Sequence, residues 1–176
     1  MTDKKENILK TALELFSKEG FNTVSTNKIA KRAKVSEGLI FRHFQNKKGL
    51  LDAIMKDAEE KMMVHIAPVI FETKPQEVIR KFISMPFDVD EAEFDYWRLQ
   101  FKLKWETEYN NPDKMKPLLD KLEWAFTALG YENPAAEAQM LSQLMDSIAI
   151  TALRDGVKSD QAFRDFLLKK YQVDEG

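Results

Sequence analysis

The stretch that decides the fold reads STNKIAKRAKVSEGLIFRHF, over residues 25–44. It contains two short segments in which apolar residues recur at helical spacing, separated by a tight break. Ile29 and Ala33 of the first segment have positions that suit packing against Ile40 and Phe44 of the second. Because the second segment also carries small and polar residues where a buried helix would carry apolar ones, we predict a helix-turn-helix.

The second of these helices, which we expect to begin at Ser36, has the composition of a helix that enters a DNA groove. Such a helix exposes short side chains near its N-terminus so that its backbone approaches the base edges. Ser36, Glu37 and Gly38 meet that need, and specificity then falls to Glu37, Leu39 and Arg42. The expected phosphate donors around it are Ser25, Thr26, His43, Lys47 and Lys48. For His43 alone, the alternative is an ordinary packing or capping histidine.

The charges are unevenly distributed along the chain. Residues 1–50 hold 11 Lys and Arg against 5 Asp and Glu, whereas the remainder holds 16 against 24, for a formal net charge of -2 overall. A local positive field around the motif attracts polyanions. The alternative is chance clustering of charges on a solvated surface.

The composition excludes several classes of protein. With 176 residues, 44% of them hydrophobic, the chain can bury a core, and without cysteine it has no disulfide framework. Two histidines leave little material for a zinc site, and no apolar run approaches the roughly 20 residues of a membrane span. The first residues are charged, which is not typical of a secretory signal. We expect a cytoplasmic protein with no membrane partner, metal or cofactor.

The rest of the chain also shows helical periodicity, so we predict an all-α fold. The first helix should end near Gly20, Ser25 or Thr26 should cap the second, and Asn46 should cap a long fourth helix. Five further helices are predicted at 75–85, 90–109, 112–129, 134–155 and 160–171, several of them opened by proline.

Pro68 falls within an apolar run, where it should kink or end the fourth helix, and we place the break between the basic and acidic parts near it. Counting the linking helix with the acidic part, we predict a helix-turn-helix DNA-binding domain over residues 1–47. A helical effector-binding and dimerisation domain then covers residues 48–176.

Residues 5–55 resemble the TetR family of bacterial one-component transcriptional regulators. The agreements at fixed spacing are Ile8, Leu9, Ala12, Leu13, Leu15, Phe16, Gly20, Phe21, Ile29, Ala30, Val35, Ser36, Gly38, His43, Phe44, Lys47, Leu50 and Leu51. The resemblance implies that three N-terminal helices bind double-stranded operator DNA and that variable C-terminal helices bind a small molecule. It also implies that the last two long helices form a homodimer.

Three residues depart from the family pattern. Relatives usually have glycine where this chain has Lys34, at a position that often takes a left-handed backbone, so up to about 1 kcal/mol of strain is expected. Phe41, on the predicted DNA-facing surface, replaces a tyrosine that often binds phosphate, and it can only pack. Glu37 stands where lysine is common. Its carboxylate either selects cytosine through N4 or weakens DNA affinity by repelling phosphate.

A second set of residues suggests a ligand pocket. An aromatic stripe with helical spacing is formed by Phe94, Trp97, Phe101 and Trp105, and Trp124 projects from the opposite side of the next apolar helix. These aromatics either belong to the core or line a pocket for an apolar or flat ligand. His65 has no motif around it and is assigned to a helix surface or pocket edge.

The helix at 134–155 is apolar over too wide an arc for one packed face, which indicates a second partner surface. The residues predicted at a four-helix homodimer interface are Leu141, Leu144, Met145, Ile148, Ala152, Phe163, Phe166 and Leu167. The alternative is an ordinary buried helix.

The function these features favour is a ligand-responsive transcriptional regulator, a repressor released from its operator by a small apolar or aromatic effector. One alternative is a DNA-binding regulator controlled by a protein partner. The other is a helical small-molecule enzyme or carrier, although the chain has no paired nucleophile and base and no glycine-rich phosphate loop.

Overall fold

The computed structural model describes residues 2–103, 112–155 and 160–174, and within these ranges the protein is built from helices without strands. The helices are α1 (Thr2–Glu19), α2 (Thr26–Ala33), α3 (Glu37–Phe44), α4 (Lys47–Ile70), α5 (Pro75–Ser84), α6 (Phe94–Leu103), α7 (Lys116–Ala128), α8 (Pro134–Asp155) and α9 (Gln161–Lys170). Short 3-10 segments lie at Met85–Phe87, Glu91–Glu93 and Pro112–Met115. The predicted all-α fold is confirmed.

Several helix ends follow the predicted capping chemistry. Ser25 caps α2, because its hydroxyl accepts a hydrogen bond of 3.1 Å from the Lys28 N–H. Asn46 caps α4 in the same way, with its side-chain oxygen 2.8 Å from the N–H of Gly49. The bounds of α8 coincide with those predicted. The fourth helix passes through Pro68 and ends two residues later, at Ile70.

The described residues form two compact units. The first contains residues 2–61 and 95–103, and the second contains residues 62–94, 112–155 and 160–174. The 24-residue helix α4 begins in the first unit and ends in the second. The sequence-based division counts α6 with residues 48–176, whereas the contacts place nearly all of α6 in the first unit.

Helix α6 closes the core of the first unit. Leu99 and Leu103 are 0% and 2% exposed and pack with buried residues of α1 to α4. Polar contacts fix the same helix at both ends: the Ser17 hydroxyl donates to the Asp95 carboxylate at 2.8 Å, and Lys102 Nζ donates to the carbonyl of Lys18 at 2.8 Å. The first unit therefore depends on a helix that lies far along the chain.

The second unit packs α5, α7, α8 and α9 around its own apolar core. Its buried side chains include Ile79, Phe82, Phe126 and Leu141. After α9 the chain places Tyr171 against Phe126, with ring centroids 5.9 Å apart, and burial raises the pKa of Tyr171 to about 12. Among the residues described, no helix combines the length and apolar character needed to cross a membrane.

Candidate nucleic-acid interface

Helices α2 and α3 form the predicted helix-turn-helix. Each has eight residues. The inward faces carry Ile29, Ala30 and Ala33 on α2, and Ile40 and Phe44 on α3, all of them buried. The other apolar residues of α3, Leu39 and Phe41, are half-buried and 44% exposed, respectively, so much of the opposite face of α3 is left to solvent.

The turn between the two helices is a Schellman motif centred on Lys34. This residue has φ 55° and ψ 44°, the left-handed conformation expected at its position. The N–H of Val35 donates to the carbonyl of Ala30 at 3.0 Å, and the N–H of Lys34 donates to that of Lys31 at 3.3 Å. From α1, the Asn7 amide adds a hydrogen bond of 2.8 Å to the carbonyl of Ala33. No periodicity in the sequence indicated that contact.

The N-terminal part of α3 is open. A Cβ atom built on Gly38 would meet no heavy atom within 4 Å. Ser36 and Arg42 are exposed, and Phe41 is 44% exposed. Leu39 is half-buried and packs against the core of the first unit. Because Gly38 is exposed and has no side chain, another molecule can approach the backbone closely at this turn of α3.

Gly49 has the opposite surroundings. It lies in the first turn of α4, after a sharp bend at Gln45 with φ 67°. A Cβ atom built on Gly49 would lie 2.1 Å from the backbone oxygen of Phe44. The requirement for glycine here is not visible in the sequence, because a glycine inside a helical pattern gives no sign of which backbone passes close to it.

Lys47, predicted as a phosphate donor, directs its side-chain hydrogen bonds to backbone carbonyls of the protein itself. Its ammonium group donates to the carbonyls of Phe21 at 2.8 Å, Val24 at 3.0 Å and Asn22 at 3.5 Å. It also lies 4.4 Å from the centroid of the Phe21 ring. An ammonium group has three N–H donors, and here all three have carbonyl partners. Lys48 is exposed and lies 3.9 Å from the carboxylate of Asp52.

Glu37 and Thr26, two other predicted DNA-binding residues, contact each other. The Thr26 hydroxyl donates to Glu37 Oε1 at 2.6 Å, and the Asn27 amide lies 3.5 Å from Oε2. His43 is half-buried, with its ring 6.0 Å from that of Phe44. The contact of Asn27 with Glu37 was not predicted from the sequence, since it depends on how closely α3 approaches α2.

Comparisons with known proteins point to one family. The family model for bacterial regulatory proteins of the tetR family matches residues 8–54. The uncharacterized HTH-type transcriptional regulator YerO of Bacillus subtilis is 32% identical over 91 residues, which is 50% of this chain and 32% of YerO. Residues 8–54 of the chain belong to the TetR family. The chain spans about a third of the length of the curated relatives it matches.

Solved structures share the fold over nearly the whole chain. A TetR-like transcriptional regulator from Rhodococcus sp. RHA1 has a TM-score of 0.82 at 16% identity, covering 96% of this chain and 93% of the other. The transcriptional regulator FadR from Bacillus subtilis, solved in complex with stearoyl-CoA, has a TM-score of 0.68 at 19% identity. That match covers 94% of this chain and 96% of FadR. At these identities the likeness shows the TetR fold alone.

The predicted ligand-binding aromatics lie in different parts of the TetR fold. Phe94 is buried in the second unit, whereas Trp97 and Phe101 are half-buried on α6 in the first. Trp124 is 42% exposed on α7, with Lys121 Nζ 4.2 Å from its ring centroid. Trp105 lies outside the described residues.

A cleft of about 580 Å³ opens in the second unit between the end of α4, α5 and α9. Its lining consists of Val64, His65, Pro68, Arg80, Lys81, Ser84, Met85, Asp88, Arg164, Asp165 and Leu168, and it includes none of the predicted aromatics described. His65 lies 2.8 Å from the Glu93 carboxylate, and Lys81 pairs with Glu72. That ion pair and two backbone N–H donors lower the pKa of Glu72 to about 2. The cleft is therefore rimmed by charged groups.

The predicted dimer residues divide into three groups by their exposure. Leu141, Met145, Ala152 and Leu167 are buried in the second unit, while Leu144 and Ile148 are half-buried on α8. On α9, Phe163 and Phe166 are 39% and 58% exposed, and their rings stack with centroids 6.0 Å apart. Met140 and Ile150 of α8 are also exposed, at 48% and 39%. Apolar surface thus remains on both helices after the unit has folded.

Proposed function

We propose that the protein is a DNA-binding transcriptional repressor that acts as a homodimer in the cytoplasm. The observation that carries the proposal is the open N-terminal turn of α3, where Gly38 has empty space around it. Exposed Ser36 lies just before this turn, and exposed Arg42 lies one helical turn after Gly38. A base edge can approach the backbone only at such a place. The local excess of Lys and Arg in residues 1–50 supports a polyanionic partner.

The exposed apolar side chains of α8 and α9 support the dimer. A two-fold pair of these helices would cover Phe163, Phe166 and Ile150 from solvent in both copies. The two α3 helices would then enter successive major grooves, roughly 34 to 36 Å apart, on a near-palindromic operator.

A small-molecule effector is the third part of the proposal. Two places could hold it: the charged-rim cleft in the second unit, and the set of aromatics that includes Trp124. FadR, which has the same fold, is seen with stearoyl-CoA, and this supports a small-molecule response in general. The effector must bind one dimer geometry more tightly than the other, and a coupling of about 1 to 3 kcal/mol is usual.

A side-chain contact followed by the backbone connects the cleft to the first unit. His65 at the cleft contacts Glu93, and the chain passes from Glu93 directly into α6, whose Leu99 and Leu103 belong to the core of the first unit. A ligand that displaces His65 would therefore act on the segment that leads into α6.

Selection of bound sequences from random duplex DNA tests the regulator. The expected result is two related half-sites separated by about 10 base pairs, or one helical turn. A single half-site protected by a monomer would contradict the dimer, and the absence of any enriched sequence would contradict operator recognition.

Thermal unfolding in the presence of a compound library tests the effector, because a ligand that binds the native state raises the melting temperature. Ser84→Trp should fill the cleft and Trp124→Ala should remove the exposed aromatic. A stabilising compound whose effect is lost in only one variant identifies the binding place. If no compound stabilises the protein, control by a protein partner becomes the better hypothesis.

A further inference from the structure

The side chain of Glu37, the first residue of α3, reaches across to α2. Its carboxylate accepts the Thr26 hydroxyl at 2.6 Å and lies 3.5 Å from the Asn27 amide nitrogen. The adjacent N-cap residue, Ser36, makes no side-chain capping hydrogen bond. The contact therefore joins the start of α3 to the start of α2, between two residues of the predicted DNA-facing surface.

We propose that Glu37 is a positioning residue that suppresses non-specific DNA binding by holding the Thr26 hydroxyl away from the phosphate backbone. The inference rests on the proposed DNA-binding function and assigns a role to one contact within that surface. Thr26 is the residue through which Glu37 acts.

The donor count of threonine explains the effect. A threonine hydroxyl has one proton to donate, and in this structure that proton is directed to Glu37 Oε1. While this bond persists, Thr26 cannot donate to a phosphate oxygen. A phosphate group must therefore compete with a carboxylate that is already in place and is oriented by two donors.

The charge of Glu37 acts in the same direction. A phosphate oxygen that approached Thr26 would come close to the carboxylate bound there, and two like charges at such separations repel each other. Non-specific binding depends on phosphate contacts alone. It therefore loses a hydrogen-bond donor and also meets a repulsive charge at this point of the surface.

Three variants of the full-length protein separate the hydrogen bond from the charge. Glu37→Ala removes both, whereas Glu37→Gln removes the charge and keeps an acceptor oxygen for Thr26. Thr26→Val removes the donor and keeps the shape of the side chain. Glu60→Gln is the matched control, since it changes the net charge equally at an exposed position of α4, about 20 Å along that helix from its start.

The measurement is fluorescence anisotropy with a labelled duplex of random sequence over a series of salt concentrations. Glu37→Ala should bind about tenfold more tightly than the wild type, with Glu37→Gln between the two and Glu60→Gln within about twofold of wild type. Thr26→Val should leave the affinity within about twofold in the wild-type and Glu37→Gln backgrounds. In the Glu37→Ala background, where the hydroxyl is released, it should weaken binding about fivefold. Melting temperatures establish that each variant is folded.

Two results would overturn the inference. One is a Glu37→Ala variant that binds no more tightly than wild type, and the other is an equal loss from Thr26→Val in all backgrounds, which would mean that Thr26 already reaches phosphate. Failure of the proposed function looks different: neither wild type nor Glu37→Ala would bind any duplex in a salt-dependent way.

Discussion

At the scale of single residues, the turn before α3 carries a conformation that its side chain disfavours. Lys34 has a positive φ of 55°, which for a residue with a Cβ atom costs roughly 1 kcal/mol or more. The conformation persists because the N–H groups of Lys34 and Val35 both bond to carbonyls of α2 and because Val35 packs against the core. The hydrogen bonds and packing around the turn thus stabilise a conformation that the lysine side chain at position 34 disfavours.

Lys34→Gly should therefore stabilise the protein. We expect the free energy of unfolding to rise by about 1 kcal/mol, since glycine adopts a positive φ without the Cβ clash. Urea denaturation followed by circular dichroism measures the change. Lys31→Gly, at an exposed position inside α2, is the control and should lower the same quantity by about 1 kcal/mol. Equal losses in both variants would show that position 34 is unstrained.

Two adjacent lysines at the start of α4 should behave differently. Lys47→Met leaves three carbonyls of the α1–α2 connection without their donor. It should therefore lower the free energy of unfolding by about 2 kcal/mol. The salt slope of DNA binding should stay unchanged. Lys48→Met should leave stability within about 0.5 kcal/mol and reduce the salt slope by about 1. Urea denaturation and salt-dependent anisotropy measure these effects. A reduced salt slope for Lys47→Met would instead support the predicted phosphate contact of this residue.

At the scale of elements, α3 and α4 each contain a glycine near the N-terminus, and the two glycines should differ in whether they tolerate a side chain. Gly38 faces open space, so nothing within the protein excludes a side chain there. Gly49 lies against the Phe44 carbonyl, where no side chain fits. The space at Gly38 is therefore available to DNA, whereas the space at Gly49 is occupied by the chain itself.

Gly38→Ala should raise the free energy of unfolding by about 0.5 to 1 kcal/mol, through helix propensity, and at the same time weaken operator binding. Gly49→Ala should lower the melting temperature, because a backbone oxygen cannot yield at low cost. Thermal unfolding and anisotropy with a selected operator provide both readouts. A Gly38→Ala variant with undiminished affinity would show that DNA does not approach α3 closely at this residue.

The elements also show what the sequence can predict. Caps such as Ser25 and Asn46 were predicted correctly because a cap depends on residues within three positions of it. The packing partner of α6 was not predicted, because periodicity identifies an apolar face without showing which helix that face contacts. In the structure, Leu99 and Leu103 of α6 are buried against α1 to α4. The contact of Glu37 with Thr26 was missed for the same reason, as was the cleft, whose lining comes from α4, α5, α9 and the short segment after α5.

At the scale of the whole molecule, the apolar surface left on α8 and α9 should decide the oligomeric state. Phe166→Glu places a charge in the predicted dimer interface and should raise the dimer dissociation constant at least tenfold, since an unpaired buried charge costs more than about 1.4 kcal/mol. Sedimentation equilibrium measures the constant. Phe71→Glu, at a side chain that is 78% exposed just after α4, is the matched control and should leave the dimer intact. Dissociation of both variants, or of neither, would argue against an α8–α9 interface.

The position of α6 also bears on how regulators of this kind can exchange parts. A gene fusion that joined residues 1–61 to the sensor of another protein would leave behind Leu99 and Leu103, and the Ser17 hydroxyl would lose the Asp95 carboxylate. Such a hybrid would begin with an incomplete hydrophobic core. A crossover at residue 61 therefore leaves the core of the first unit incomplete. A chimera that keeps this core needs its crossover beyond residue 103, or two further crossovers that carry residues 95–103 along.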